Sequence, residues 1–180
     1  AVRRRIPQLS PFGLAPRDGD WLIFRQPLVR EVAYRGLPHR VQRLIHQRLT
    51  EYLGYYREKA APNWLTLMAY HAYEARMWEE AVAVNLELGQ QAVRSYLAVQ
   101  ARQALERVLQ AADAGGLAVP EARFEAHHLL GDTLISFGEY DAALAHLNAA
   151  RAMLPAEPEN PDDIARLADL DCHEATALEA

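Results

Sequence analysis

The chain is poor in the features that announce chemistry. It has one cysteine, Cys172, in 180 residues, which excludes an internal disulfide and fits a reducing compartment. No apolar run approaches the roughly 18 residues that a membrane-spanning helix needs, and no secretory leader is visible at the start. Runs rich in β-branched residues are almost missing, whereas alanine and leucine dominate, so an all-α body is expected. No glycine-rich Walker loop, Gly-x-Ser-x-Gly elbow or His-Glu-x-x-His pair stands in the sequence. Enzymes built on those motifs are excluded, and the expected location is the cytoplasm.

What is present is unevenly distributed. The net charge of −5 conceals 12 Lys/Arg against 5 Asp/Glu in residues 1–60 and 7 against 19 in residues 61–180. Such a split points to a nucleic-acid face or to two modules with different neighbours. The expected organisation is a first module over 1–60 and helical repeats over 61–180.

The first module holds the one clear β signal, Phe12 to Phe24. Trp21-Leu22-Ile23-Phe24 follows the turn Arg17-Asp18-Gly19-Asp20, and a strand near Phe12 to Leu14 is expected to pair with it. Pro27 opens a helix with an apolar stripe of Leu28, Val29, Val32 and Ala33 up to Gly36, and Pro38 starts another. In that second helix Val41, Leu44, Ile45, Leu49, Tyr52, Leu53 and Tyr56 recur at three and four, with Arg40, Arg43 and Arg48 on the wet side. From Asn63, a candidate N-cap, helices are expected through Met77, over Trp78–Tyr96 and over Ala98–Ala112. Gly115-Gly116 interrupts and Pro120 restarts the array. A final helix from Asp162 or Asp163 to Ala180 is expected without a partner.

The most regular stretch is Phe124 to Glu157. Gly131 and Ala143 are small where two antiparallel helices cross at about 8 Å, and Leu130, Leu134 and Leu147 fill the gaps around them. Gly138 ends the first helix in a left-handed conformation, and Pro155 ends the second. With Tyr140 and Ala150, this pattern resembles a tetratricopeptide repeat, whose period is about 34 residues. His127 stands where that family usually has tryptophan, and Leu147 where it often has an aromatic residue. Sliding the template back puts Gly89, Ala101 and Leu105 at matching positions, with Val108 and Asp113 in place of the usual alanine and proline. The resemblance implies a TPR-like α-α superhelix. It also implies a concave groove lined by Leu86, Gln90, Val93 and Arg94 on one helix, and by Glu125, His128, Asp132 and Ile135 on the next.

A second resemblance covers residues 20 to about 112. Trp21-Leu22-Ile23-Phe24-Arg25-Gln26-Pro27-Leu28-Val29-Arg30-Glu31-Val32-Ala33-Tyr34, with Arg43-Leu44-Ile45-His46, resembles the segment after the nucleotide-binding module of bacterial signal-transduction ATPases of the STAND class. Those proteins couple a regulatory ATPase to a nucleotide cyclase or a LuxR-type domain. The resemblance implies that residues 1–60 are the tail of a winged helix, and that the chain is a piece of a longer polypeptide. Gln26 stands where the family commonly has histidine, which places the nucleotide contact of that residue in doubt.

Histidine and acidic residues do not cluster at metal-ligand spacing. Cys172, His173 and Glu174 are adjacent, about 100° apart on a helix, and so are His127 and His128. His71 shares a face with Glu74 but needs ligands from elsewhere, and His46 and His146 have no neighbour suggesting catalysis. No metal or cofactor is expected. Arg3-Arg4-Arg5 and the later arginines raise a DNA-binding alternative, which the aspartates of the wing tip oppose. The expected role is therefore a non-enzymatic regulatory segment. It binds a protein partner, an effector or neighbouring domains of its own chain, with structural dimerisation as the alternative.

Overall fold

The computed structural model describes residues 14–17, 21–24, 26–55, 63–155 and 160–179. The described residues form one short strand pair and eight helices, an all-α architecture in its bulk. The expected strand start at Phe12, the turn at Asp18-Gly19-Asp20, Arg3 to Arg5, Arg25, Tyr56, Glu157 and Ala180 lie outside them. The chain divides into two compact units, Ala1–Ile45 and His46–Ala180, with the division inside a helix.

In the first unit, β1 (Leu14–Arg17) pairs antiparallel with β2 (Trp21–Phe24), Leu14 opposite Phe24 and Arg17 opposite Trp21. Arg17 thus belongs to the strand, not to the turn. Helix α1 (Pro27–Arg35) has proline at its first position, where the missing N–H costs nothing, and ends at Gly36. Helix α2 (His39–Tyr55) follows at once. Gln42 Nε2 donates to the carbonyls of Tyr34 (3.0 Å) and Leu37 (2.9 Å), tying the α1–α2 corner. The apolar stripe expected on α1 is not a packed face: none of its residues is buried, and Leu28 and Val32 are 70% and 64% exposed. Among the described residues of this unit, two short strands, one short helix and the first turns of α2 supply too little opposing surface.

The second unit begins within α2 and continues through α3 (Trp64–Ala75), α4 (Trp78–Arg94), α5 (Ala98–Gly115), α6 (Pro120–Ser136), α7 (Tyr140–Arg151) and α8 (Pro161–Glu179). On α2 the buried side chains are His46 and Thr50, while Leu49 and Tyr52, expected inside, are exposed. The reason is rotational: the face turned to α3 carries His46, and Thr50 lies one turn along it, donating to the His46 carbonyl.

Four successive connections share one geometry. Arg76, Tyr96, Gly116 and Gly138 adopt left-handed φ of 59°, 57°, 60° and 72°. In each turn the amide after that residue bonds back five positions: Met77 to Ala72, Leu97 to Ala92, Leu117 to Ala112 and Glu139 to Leu134. This is the Schellman closure, which satisfies carbonyls orphaned at a helix C-terminus. Only two of the four positions are glycine, so two turns carry the cost of a side chain at positive φ. No N-cap side chain closes the following helices; Asn63, expected to cap α3, occupies the cap position without a side-chain bond.

The short turns make neighbouring helices antiparallel, and two glycines set how closely they approach. A Cβ built on Gly89 would lie 2.6 Å from Leu105 Cδ2, and one on Gly131 would lie 2.5 Å from Leu147 Cδ2. Leu105 and Leu147 are fully buried, as are Ala101 and Ala143 beside them. Alternate helices run parallel: Thr66 meets Gln100 and Tyr73 meets Gln110 across α3 and α5, and Gln90 meets Glu125 across α4 and α6. Leu105, Val108, Ala126 and Leu130 belong to the main core, and Phe124, Leu147, Ala150 and Leu170 form a second.

Several expected ends move: α3 stops at Ala75 instead of Met77, α4 at Arg94 instead of Tyr96, and α5 runs past Ala112 to Gly115. Helix α7 stops at Arg151, four residues before Pro155, because three-residue bonds at Met153 and Leu154 already tighten the chain. Helix α8 starts at Pro161 and is not without a partner. Leu170 is buried against Phe124 and Leu147, and Arg151 on α7 bonds Glu174 and Asp171 on α8.

Two substitutions test this account. Gly131→Ala should destabilise by about 1–3 kcal/mol, because Leu147 must give way. Measured by urea unfolding, it should be less than additive with Leu147→Ala, where the added methyl finds space; additivity would show that the two do not touch. Arg76→Gly should raise stability by about 0.5–1 kcal/mol by relieving the left-handed turn, and a lowered urea midpoint would contradict the turn geometry.

Candidate functional site

A cleft of about 560 Å³ lies where the last turns of α4 and α6 meet the first turn of α5. Val93 and Arg94 come from α4, Asp132, Thr133 and Ser136 from α6, Ala98 and Ala101 from α5, and Tyr96 from the turn between α4 and α5. The Thr133 and Ser136 hydroxyls donate to the carbonyls four residues back, at Leu129 and Asp132, leaving their oxygen lone pairs available as acceptors. Tyr96 is the unusual member. It is 95% exposed, and its backbone is held at φ 57°. A bulky aromatic residue has no intrinsic reason to occupy that conformation, yet the Schellman turn fixes it beside the cleft, with Leu97 and Val99 also exposed.

Of the eight expected groove residues, Val93, Arg94 and Asp132 share this cleft. Gln90 and Glu125 bond each other at 3.4 Å. Leu86 and Ile135 pack instead against the two cores. His128 turns toward α8, where its Nε2 lies 3.2 Å from His173 Nδ1.

That contact is one of three. His46 Nδ1 on α2 lies 2.8 Å from His71 Nδ1 on α3, and His127 Nδ1 on α6 lies 2.9 Å from His146 Nδ1 on α7. Six of the seven histidines are therefore joined across helix interfaces. The three pairs have similar geometry, with ring centroids 5.0–5.2 Å apart and planes inclined by 40–43°. In each, one ring must donate and the other accept, so a neutral pair shares one proton along the contact. His46 and His146, which have no sequence neighbour suggesting catalysis, each meet a histidine on another helix. Helix contacts bring together residues 19 to 45 positions apart, which no local spacing reveals. The adjacent histidines His127 and His128 diverge as expected, each toward a different helix.

The surroundings favour neutral rings. Burial is the leading cause of a lowered pKa at His46, His71, His127, His128 and His146. The partner ring adds to it at His71, His127 and His128. Glu74 opposes the shift at His46, as do Glu125, Asp169 and Asp132 at His128. Asp132 also lies 3.7 Å from His173 Nε2. Among the described residues, no group of three or more His, Cys, Asp or Glu is arranged to hold a metal ion, and no helix is long and apolar enough to cross a membrane. Cys172 is exposed.

These shifts make stability pH-dependent. An imidazole whose folded pKa is depressed binds fewer protons in the folded chain than in the unfolded one. Stability should thus be full above about pH 7 and fall as pH drops below the unfolded imidazole value near 6.5. Urea midpoints taken between about pH 5 and 7.5 should rise with pH and then level; a flat or inverted profile would refute the assignment. Compared with protein-family models, with curated proteins and with solved structures, the chain gives no match.

Proposed function

We propose that this chain is a non-enzymatic regulatory segment of a bacterial signal-transduction ATPase of the STAND class. In this reading a winged-helix tail, including the β1–β2 hairpin, is followed by a TPR-like superhelix whose groove binds a protein partner or effector. Several features support the repeat reading: the recurring Schellman turns, the Gly89/Leu105 and Gly131/Leu147 contacts sixteen residues apart in each case, and cross-helix bonds at separations of 34 to 37 residues. Equivalent positions, Gly89 with Gly131 and Leu105 with Leu147, recur 42 residues apart, longer than the tetratricopeptide period of about 34.

The observation that carries the binding reading is Tyr96. The left-handed turn presents its aromatic ring, 95% exposed, beside a cleft holding Arg94 and Asp132. A ligand seated against that ring, and touching both α4 and α6, stabilises one relative placement of the two helices. It thereby biases whatever output module, cyclase or LuxR-type domain, is attached.

The assembly alternative draws on Ile164 and Leu178 of α8, which are 51% and 73% exposed. Light scattering on an Ile164→Ser/Leu178→Ser variant separates it, since a dimer formed through that helix should dissociate.

The groove reading predicts opposed signs for one substitution. Tyr96→Gly should raise thermal stability by about 0.5–1 kcal/mol by removing the left-handed penalty. In the intact parent protein it should also reduce the response to the regulatory input. Arg94→Ala should reduce the response without the stability gain. A parent carrying both substitutions with an unchanged response would overturn the reading.

A further inference from the structure

We propose that the His127–His146 contact is a proton-sensitive latch that holds α6 to α7, independently of what the groove binds. The geometry carries the argument. The two Nδ1 atoms lie 2.9 Å apart, with His127 one turn before Gly131 and His146 adjacent in sequence to Leu147, the pair at which the two helices approach closely. One shared proton makes the contact a hydrogen bond; a proton on each Nδ1 turns it into a face-to-face repulsion of two donors and two charges.

The neighbouring charges decide whether such repulsion is compensated. From α5, Arg102, Glu106 and Asp113 face the pair, and from α6 so does Arg123. All four are already engaged: Arg102 bonds Glu106 (2.9 Å) and Glu139 (2.7 Å) at the start of α7, and Arg123 bonds Asp113 (2.5 Å). Two arginines thus stand among three carboxylates, Glu106, Glu139 and Asp113, and each of those carboxylates is already held in an ion pair. The His128–His173 pair differs, because Glu125, Asp132 and Asp169 oppose the lowering that burial imposes on His128, and Asp132 lies 3.7 Å from His173 Nε2. Of the two histidine pairs on α6, the one facing α7 is therefore the switch and the one facing α8 is buffered. Mild acid should loosen α6 from α7 and, through their shared contacts with Leu170, the seat of α8.

Amide hydrogen exchange on the 180-residue chain tests this at about pH 7.5 and 5.5, corrected for intrinsic rates. In the native sequence, protection across α6 and α7 should fall roughly tenfold or more relative to α4 on acidification. In a His127→Asn/His146→Asn variant, whose amides preserve a hydrogen bond without titrating, that selective fall should vanish. In His128→Asn it should remain. Uniform loss in the native chain, persistence in the double variant or disappearance in His128→Asn would each overturn the proposal. If the double variant does not fold, imidazole NMR of the native chain decides. His127 and His146 should titrate as a coupled pair, together with amide shifts in α6 and α7. Independent, ordinary titrations with unchanged amides would refute the latch.

Discussion

The close approach of antiparallel helices at a glycine is the constraint on which the second unit depends. At Gly89 and Gly131 no Cβ fits, because a leucine from the next helix occupies that space and is itself fully buried. Glycine costs about 1 kcal/mol in a helix interior. Burying a leucine side chain contributes about 1.5–3 kcal/mol, so the exchange favours the close crossing. Alanines at 101 and 143 allow the same approach from the opposite side. Once the crossings are this tight, the connecting turn must reverse the chain within two to four residues, and the Schellman closure does so four times.

Those turns explain where sequence reasoning succeeded and where it stopped. Gly138 was legible as a left-handed stop because glycine advertises positive φ, and Gly115-Gly116 was legible as a break for the same reason. Arg76 and Tyr96 were not, since nothing in an arginine or a tyrosine announces that conformation. Their φ is imposed from outside, by the packing of α3 on α4 and of α4 on α5. Helix positions were read well wherever small and large apolar residues alternate with helical period. Ends were read less well: Pro155 attracted the end of α7, although local carbonyls had already closed the helix at Arg151.

The candidate site divides along a similar line. Val93, Arg94 and Asp132 were expected together only through the resemblance to a helical-repeat family, which implied a groove along α4 and α6. Tyr96 escaped notice because it lies in a turn, outside any periodic argument. The histidine pairs escaped because each depends on two helices meeting at a particular height. The sequence shows His127 beside His128 but not that His146 and His173 meet them. What it did show was histidine where the repeat family usually has tryptophan, a polar and titratable ring in a place normally given to packing.

That departure bears on how the hairpin is held. A large aromatic at residue 127 would fill the space between α6 and α7 by dispersion alone, with no dependence on pH. Histidine contributes less apolar area and must find a partner for its ring nitrogens once it leaves water, since an unpaired buried donor costs about 1–3 kcal/mol. His146 supplies that partner at 2.9 Å. The contact is satisfied only while the pair carries one proton along the line between the rings, so packing at this position is conditional on protonation in a way that tryptophan would not permit. The same condition applies to His46 with His71, where one carboxylate, Glu74, offsets the cost of burial. It is weakest at His128 with His173, where three carboxylates stand ready. The helices are thus held by apolar contacts that ignore pH and by polar contacts that do not. Which of them opens first in mild acid is set by the carboxylates beside each pair rather than by the pairs themselves.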